Sequence, residues 1–445
     1  MLPPPLRCFF WCSGFLLIGG NILELEAVKT ITEIPVDIYN TLLAASLVLL
    51  LGSFLTKKVA IFNRLTLPPP VVGGLLAAIA MLCMRSWGDV QINFDSSLTT
   101  PLMLMFFASI GLNANIKQLM KGGKMIAIFL VGVVGLLVIQ NSVGVGLATA
   151  LGENPLLGLL AGSVTLSGGH GTGAAWAGTF YKEYGFDKDL AMGIAMACAT
   201  FGLVLGGLIG GPIAKFLINR EPNKIETDPT QSAESLSAFD RPTVRRAITA
   251  SSMIETIAML AICLSAGTAL EAALKNTSFA LPTFVCVLFV GVIINNVVNF
   301  VPNYEIFERA VSIAGNVCLS LFLAMALMSL KLWDLATLAI PMLVILTVQT
   351  IIMALYAVFV TYRLMGRDYN AAVLAAGHCG FGMGATPTAI ANMQVVTERY
   401  GPAPVAFIVV PMVGAFFIDL VNVIVIQGFL KLPMFTELLT AVPTP

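Results

Sequence analysis

The chain has 445 residues, of which 58% are hydrophobic and 11% are charged, and its mean hydropathy is +0.91. Soluble proteins carry about 25% charged residues, so this composition excludes an ordinary soluble domain. Lys plus Arg and Asp plus Glu number 24 each, which leaves no basic field to attract nucleic acid. The eight Cys are dispersed and form no Cys/His cluster with metal-ligand spacing, so neither a disulfide scaffold nor a zinc site is indicated. The sequence therefore predicts an all-α polytopic membrane protein.

Apolar segments long enough to cross a bilayer recur along the chain. A helix needs roughly 20 mostly apolar residues to span the hydrocarbon core. Ten segments are predicted to be transmembrane helices: residues 38–56, 67–84, 101–116, 125–151, 190–214, 249–272, 279–298, 313–330, 337–361 and 403–429. An earlier apolar run, Phe9 to Gly19, follows Arg7 and resembles the core of a signal peptide, but it is too short to span.

Two further apolar stretches, 155–180 and 371–396, are interrupted by glycine and turn residues. We interpret them as re-entrant hairpins, because non-helical backbone at membrane depth is tolerated only where protein or a water-filled cavity surrounds it. Glycines elsewhere have a simpler explanation. Gly202, Gly206 and Gly210 have small-xxx-small spacing, which favours close packing of helices.

The positions of Lys and Arg predict the orientation of the chain. With residue 38 outside, 16 of the 24 Lys and Arg lie on the inner side and 8 on the outer side. Both ends of the membrane core are then periplasmic. Residues 216–247 become a cytoplasmic linker between two five-span halves, 38–215 and 248–433, and residues 434–445 form a C-terminal tail.

The two halves repeat each other. His170 and His378 lie 208 residues apart, and Gln140 and Gln349 lie 209 apart. Phe106-Phe107-Ala108 precedes Phe322-Leu323-Ala324 by 216 residues, and Leu67-Pro68 precedes Leu281-Pro282 by 214. An odd number of spans per repeat inverts the second copy. Inverted repeats with a broken, glycine-rich element in matching places are typical of secondary transporters with a binding site near the midplane.

The hairpins supply groups that can bind a small polar ligand. Glycines bring backbone N–H and C=O groups close to a ligand, and a helix that starts there directs its positive end at an anion. The candidate substrate- or ion-binding residues of the hairpins are Ser167, Gly168, Gly169, Gly171, Thr172, Gly173, Gly380, Gly382, Gly384, Thr386, Thr388 and Asn392. Unwound carbonyls and hydroxyls can also hold Na⁺, and we expect Na⁺ sites around Thr172, Thr386 and Thr388.

Ionisable residues inside spans are costly and therefore functional candidates. Asp419 lies within the last span with Asn422 one turn away, and its carboxylate is expected to receive a substrate ammonium or Na⁺. Glu255 lies nearer a span entrance and is a second-tier candidate. For the two histidines, a role in holding the hairpin shape is favoured over proton handling, and a metal role is weaker still. No Lys or Arg lies deep in a span, which favours a small zwitterionic or anionic solute held by dipoles.

Long motifs of the chain closely resemble the bacterial sodium/glutamate symporters. These are residues 167–176, residues 377–393, Phe106 to Asn115 and Val410 to Asp419, and the similarity extends over about residues 38–433. The resemblance implies a Na⁺-driven importer of L-glutamate in the inner membrane, a homodimer, and an elevator-like movement of a domain that carries both hairpins. It implies no cofactor besides Na⁺ as the coupling ion. The related citrate carriers use pocket arginines that are absent here, which favours an amino acid.

Residues 1–37 form an extension beyond the resemblance. Asp37 to Thr41 sits where the family's first residues do, so we expect translation to start at Val36.

Three alternatives to glutamate symport remain open at the level of the sequence. They are a membrane protease that pairs Ser167 with His378, a channel, and the same carrier moving aspartate, citrate or another small anion.

Overall fold

The computed structural model describes residues 32–64, 67–114, 123–220, 247–275, 277, 281–298, 306–333 and 338–440. Residues 1–31 of the predicted extension, residues 221–246 of the predicted linker and residues 441–445 of the predicted tail lie outside the described residues.

The first half of the described chain is mainly helical. Its elements are β1 (Thr32–Val36), α1 (Ile38–Lys58), α2 (Ala60–Arg64), α3 (Pro69–Gly88), β2 (Val90–Phe94), α4 (Thr99–Asn113), α5 (Gly123–Ala150), α6 (Pro155–Leu159, continued by a π-helical segment Leu160–Val164), α7 (Gly169–Tyr184) and α8 (Lys188–Arg220).

The second half of the described chain consists of helices alone. Its elements are α9 (Ala250–Leu274), α10 (Thr283–Val298), α11 (Glu308–Met328), α12 (Ala339–Leu364, with a π-helical segment Ala357–Thr361), α13 (Tyr369–Gly382), α14 (Thr386–Tyr400), α15 (Pro404–Met412 and Ile418–Leu430, joined by a π-helical segment Val413–Phe417) and α16 (Pro433–Thr440).

Seven of the described helices are long and apolar enough to cross a membrane by length and composition: α1, α3, α5, α8, α9, α11 and α12. The other three predicted spans are also helical. They do not meet the length criterion for a membrane span, because α4 and α10 have 15 and 16 residues and because a π-helical segment divides α15. Ten transmembrane helices therefore remain a prediction.

Two short strands add to the predicted all-helical fold. β1 and β2 pair in parallel, from Thr32 opposite Val90 to Val36 opposite Phe94. Both lie outside the apolar spans, and the intervening α1 and α3 supply the long crossover that a parallel pair requires. The predicted tail contains α16, whose fully buried Phe435 belongs to the main hydrophobic core. The expected start at Val36 stays a prediction, although β1 includes residues before it.

The helices pack in two layers. Layer 1 contains α1, α3, α4, α9, α10 and α11, and layer 2 contains α5 to α8 and α12 to α15. In layer 1, α4 packs on α10 and α11, while α1 packs on α3. Glycine allows the close approach of α1 and α3, because a Cβ at Gly52 would overlap the carbonyl oxygen of Pro69 and one at Gly73 would overlap that of Val48.

Packing in one half mirrors packing in the other. In layer 1, we treat α9, α10 and α11 as the counterparts of α1, α3 and α4. The contact of α1 with α3 then corresponds to that of α9 with α10. The contact of α4 with α10 likewise corresponds to that of α11 with α3. In layer 2, α6 and α7 correspond to α13 and α14, and α5 packs on its counterpart α12. These contacts support the repeat indicated by the sequence offsets, which remains a prediction.

Candidate functional site

A cavity of about 540 Å³ lies where the two layers meet. Layer 1 contributes α4, α11 and the start of α3, and layer 2 contributes both glycine-rich breaks, α8 and α15. The lining side chains are mostly apolar or neutral and polar. The described lining residues include no Lys or Arg, and their only titratable side chains are His170 and Asp419.

Each predicted hairpin is a pair of helices separated by a break. In the first, the backbone leaves helical geometry at Gly162 and α7 starts at Gly169, whose φ of +70° is a conformation that favours glycine. In the second, α13 ends at Gly382 and α14 starts at Thr386. The breaks touch, since a Cβ at Gly169 would lie 3.5 Å from the carbonyl oxygen of Gly384.

The helix ends that meet at the cavity lack side-chain caps. Asn154 caps α6 by accepting from the Leu156 N–H, and Asp368 caps α13 by accepting from the Ala371 N–H. At the breaks, in contrast, Gly168 before α7 and Ala385 before α14 make no side-chain cap bond. Two helix N-termini, each the positive end of a helix dipole, therefore open onto one cavity. Pro387 removes one N–H from the first turn of α14.

Asp419 lies in the same cavity, on α15 directly after the π-helical segment. Its side chain is partly buried, and within the described part of the chain no hydrogen bond or ion pair involves its carboxylate. Thr386 Oγ1 donates to the carbonyl oxygen of Gly414, 2.8 Å away, which joins the start of α14 to this part of α15. The carboxylate can thus receive a cationic group beside the two helix N-termini.

Gln140 on α5 fixes the positions of both breaks. Its Nε2 donates to the Gly382 carbonyl oxygen at 2.7 Å, and its Oε1 accepts from Ser167 Oγ at 2.7 Å. Its counterpart in the repeat, Gln349, donates from Nε2 to the Gln140 carbonyl oxygen at 2.7 Å. All three polar residues are buried, so the network specifies the geometry of the breaks.

The structure brings together some of the predicted site residues at the cavity and places the others away from its lining. Those that line the cavity are Ser167, Gly168, Gly169, His170, Gly171, Gly384, Thr386 and Asp419. Those that lie elsewhere are Thr172, Gly173, Gly380, Gly382, Thr388, Asn392, Asn422, His378 and Glu255. Of the three threonines expected around Na⁺, only Thr386 lines the cavity, while Thr172 and Thr388 are buried beside it.

Two predicted amides hold helices together. Asn422 Nδ2 donates to the Ser163 carbonyl oxygen at 2.9 Å, and Asn422 Oδ1 accepts from Ser163 Oγ at 2.6 Å. Asn392 Nδ2 donates to the Gly206 carbonyl oxygen at 2.9 Å. Both amides are buried. Their binding roles remain predictions, and the contacts are those of positioning residues.

The histidines contact the protein in ways that fit a structural role. His170 Nε2 lies 3.0 Å from Thr200 Oγ1, a hydroxyl that itself donates to the Met196 carbonyl oxygen, so the histidine donates and ties α7 to α8. His378 Nδ1 lies 2.8 Å from Thr361 Oγ1, and its ring stacks on Phe381 at 5.1 Å between centroids.

The sequence analysis missed the polar wall that layer 1 contributes. Ser109 and Asn113 on α4 line the cavity, together with Ser312, Asn316 and Ser320 on α11. A detectable signal was present, because polar residues repeating at every fourth position in an apolar helix mark one polar face.

Residues 34–402 match the family model described as Sodium/glutamate symporter. The chain belongs to the sodium/glutamate symporter family. A symporter is a transporter and not an enzyme, which excludes the protease alternative. Ser167 and His378, the proposed dyad, instead contact Gln140 and Thr361.

Individual relatives agree with this assignment. The sodium/glutamate symporter of Escherichia coli (strain K12) is 61% identical over 401 residues, which cover 90% of this chain and 98% of the relative. That of Haemophilus influenzae is 53% identical over 384 residues, 86% of this chain and 95% of the relative. Among solved structures, the sodium proton antiporter MjNhaP1 from Methanocaldococcus jannaschii matches with a TM-score of 0.38 and 13% identity, over 91% of this chain and 100% of that one.

Proposed function

We propose that this symporter imports L-glutamate together with Na⁺ across the bacterial inner membrane by alternating access. One observation carries the proposed site: an Asp419 carboxylate that has no hydrogen-bond or ion-pair partner among the described residues shares a cavity with two helix N-termini that lack side-chain caps. An amino acid has a positive and a negative group on one carbon, and this arrangement complements both.

The substrate would bind with its α-amino and α-carboxylate groups at the breaks. The α-carboxylate would accept from backbone N–H groups at the start of α7, and the ammonium would pair with Asp419. The dipole of each helix end contributes about 0.3–1 kcal/mol, and up to about 2 kcal/mol where it is partly buried. Na⁺ would be held by carbonyls and hydroxyls around Thr172, Thr386 and Thr388. The Thr386 hydroxyl donates its proton to Gly414, which leaves its lone pairs for a cation.

The proposed topology comprises ten spans in two inverted repeats, each with a re-entrant hairpin. The mirrored packing of the helices supports the repeats. The limbs α13 and α14 meet at a break that lines the cavity, as α6 and α7 do in the first half, and this arrangement supports re-entrant hairpins. Periplasmic termini rest on the distribution of Lys and Arg, and the homodimer rests on the resemblance.

Both breaks and Asp419 belong to layer 2, so movement of layer 2 against layer 1 would carry the site with it. This division supports an elevator-like mechanism. Glutamate has a net charge of −1, so at least two Na⁺ per substrate would make import electrogenic. Each net charge then gains about 2.3 kcal/mol per 100 mV of membrane potential.

Uptake of radiolabelled L-glutamate into proteoliposomes tests the function. With an inward Na⁺ gradient we expect accumulation that excess unlabelled glutamate blocks and excess citrate does not. Replacement of Na⁺ by K⁺ should abolish it. Accumulation in K⁺ would contradict sodium coupling, and inhibition by citrate would favour a carrier of other small anions.

A further inference from the structure

One wall of the cavity is the polar face of α11, formed by Ser312, Asn316 and Ser320. Spacing of four residues places these side chains on the same side of the helix. We propose that Asn316 and Ser320 bind the side-chain carboxylate of the substrate and so determine which amino acid is carried. The inference rests on the proposed function, because it assigns the part of the same cavity that faces the substrate's side chain.

Asn316 and Ser320 have donors that the protein itself does not use. Other hydroxyls in these helices donate to a carbonyl one turn back, as Ser142 does to Val138 at 2.8 Å and Ser329 to Met325 at 2.9 Å. Among the described residues, none is hydrogen-bonded to the side chain of Asn316 or of Ser320. The amide and the hydroxyl are therefore available to a ligand in the cavity.

The neighbouring helix has an incomplete hydrogen-bond network at the same wall. Asn113 Nδ2 donates to Ser312 Oγ at 3.1 Å, while Asn113 Oδ1 is buried without a partner. Buried polar atoms are nearly always paired. Because Asn113 Oδ1 is shielded from the cavity, this amide positions Ser312 and leaves the donors toward the ligand to Asn316 and Ser320.

The chemistry of the substrate assigns this wall to the side chain. All amino acids share the ammonium and the α-carboxylate, so contacts at the breaks and Asp419 do not discriminate among them. The side chain then faces layer 1. Because no Lys or Arg is among the described lining residues, a second carboxylate must be held there by neutral donors, and Asn316 and Ser320 supply them.

Four variants of the full chain test the assignment by KM and kcat of Na⁺-driven L-glutamate uptake in proteoliposomes. Asn316→Ala should raise KM at least about tenfold by removing a hydrogen bond to a charged group. Asn316→Asp should raise KM further, because a second carboxylate repels the substrate. Ser320→Ala should raise KM several-fold. Ser329→Ala, directly after the end of α11 and outside the cavity lining, is the control and should leave KM unchanged.

An unchanged KM in Asn316→Asp would overturn the assignment, and a lowered KM would show that the amide faces a cation. If Asn316→Asp does not insert as folded protein, the comparison of Ser320→Ala with Ser329→Ala decides, and equal KM values overturn the assignment. Loss of sodium-dependent uptake in the wild type would remove the proposed function itself. Normal wild-type uptake with unaltered variants would remove only the role of α11.

Discussion

At the scale of single residues, Asp419 carries most of the proposed chemistry. A carboxylate at the centre of a membrane-spanning helix costs about 2.5–3.5 kcal/mol on insertion scales. Such residues are rare and mark functional sites. Sequence alone identified Asp419, because an acid inside an apolar run is conspicuous. The sequence did not show that Asp419 lines the cavity while Thr172 and Asn392 are buried outside its lining. That difference depends on how the helices pack, which a hydropathy pattern does not contain.

We predict that Asp419→Asn abolishes Na⁺-driven glutamate uptake while the protein still inserts and remains monodisperse. The amide keeps the shape of the side chain and removes the charge that would pair with the substrate ammonium. Glu255→Gln is the matched control, because Glu255 is an acid in a predicted span that does not line the cavity. Wild-type uptake by Asp419→Asn would remove this residue from the binding site.

At the scale of elements, α8 is the helix on which the second broken segment rests. The sequence-based prediction that Gly202, Gly206 and Gly210 are packing glycines is confirmed by their surroundings. A Cβ at Gly202 would overlap the Met383 carbonyl oxygen, one at Gly206 would lie 2.9 Å from that of Cys379, and one at Gly210 would overlap Asn392 Nδ2. The sequence spacing predicted the packing face, but it did not show that this face packs on α13, on α14 and on the break between them.

We predict that Gly202→Ala lowers stability by about 1–3 kcal/mol, because the added Cβ would overlap the backbone of Met383 in the second break. Gly211→Ala provides the control on the same helix, where nothing lies within 4 Å of an added Cβ. That variant should be neutral or slightly stabilising, because alanine favours helix over glycine. Thermal unfolding of the two purified variants measures the difference. Equal melting temperatures would contradict the close contact between α8 and the break.

At the scale of the whole molecule, the apolar helices were readable from hydropathy, while the repeat indicated by four sequence offsets remains a prediction. The grouping into two layers was not readable from the sequence, because it depends on which helices pack together across the repeats. In the described part of the chain, an ion pair joins the layers: Lys331 Nζ, just after α11, lies 2.6 Å from Asp189 Oδ2 at the start of α8. Both side chains are more than a third exposed, so this pair contributes only about 0–1 kcal/mol.

If layer 2 moves against layer 1, tying these positions together must stop transport. We predict that the double variant Asp189→Cys with Lys331→Cys loses glutamate uptake after treatment with a short bifunctional thiol reagent. Each single-cysteine variant, treated in the same way, should keep its uptake and serves as the control for native cysteines. Full uptake by a demonstrably cross-linked protein would contradict movement between the layers at this seam.

Coupled fluxes of sodium and glutamate test symport most directly. Radioactive Na⁺ and radiolabelled L-glutamate would be followed into the same proteoliposomes, each with and without the other solute. We predict that glutamate accelerates Na⁺ entry, that Na⁺ is required for glutamate accumulation, and that at least two Na⁺ enter per glutamate. Entry of Na⁺ at the same rate with or without glutamate would instead indicate a channel, and would contradict sodium-coupled transport by this protein.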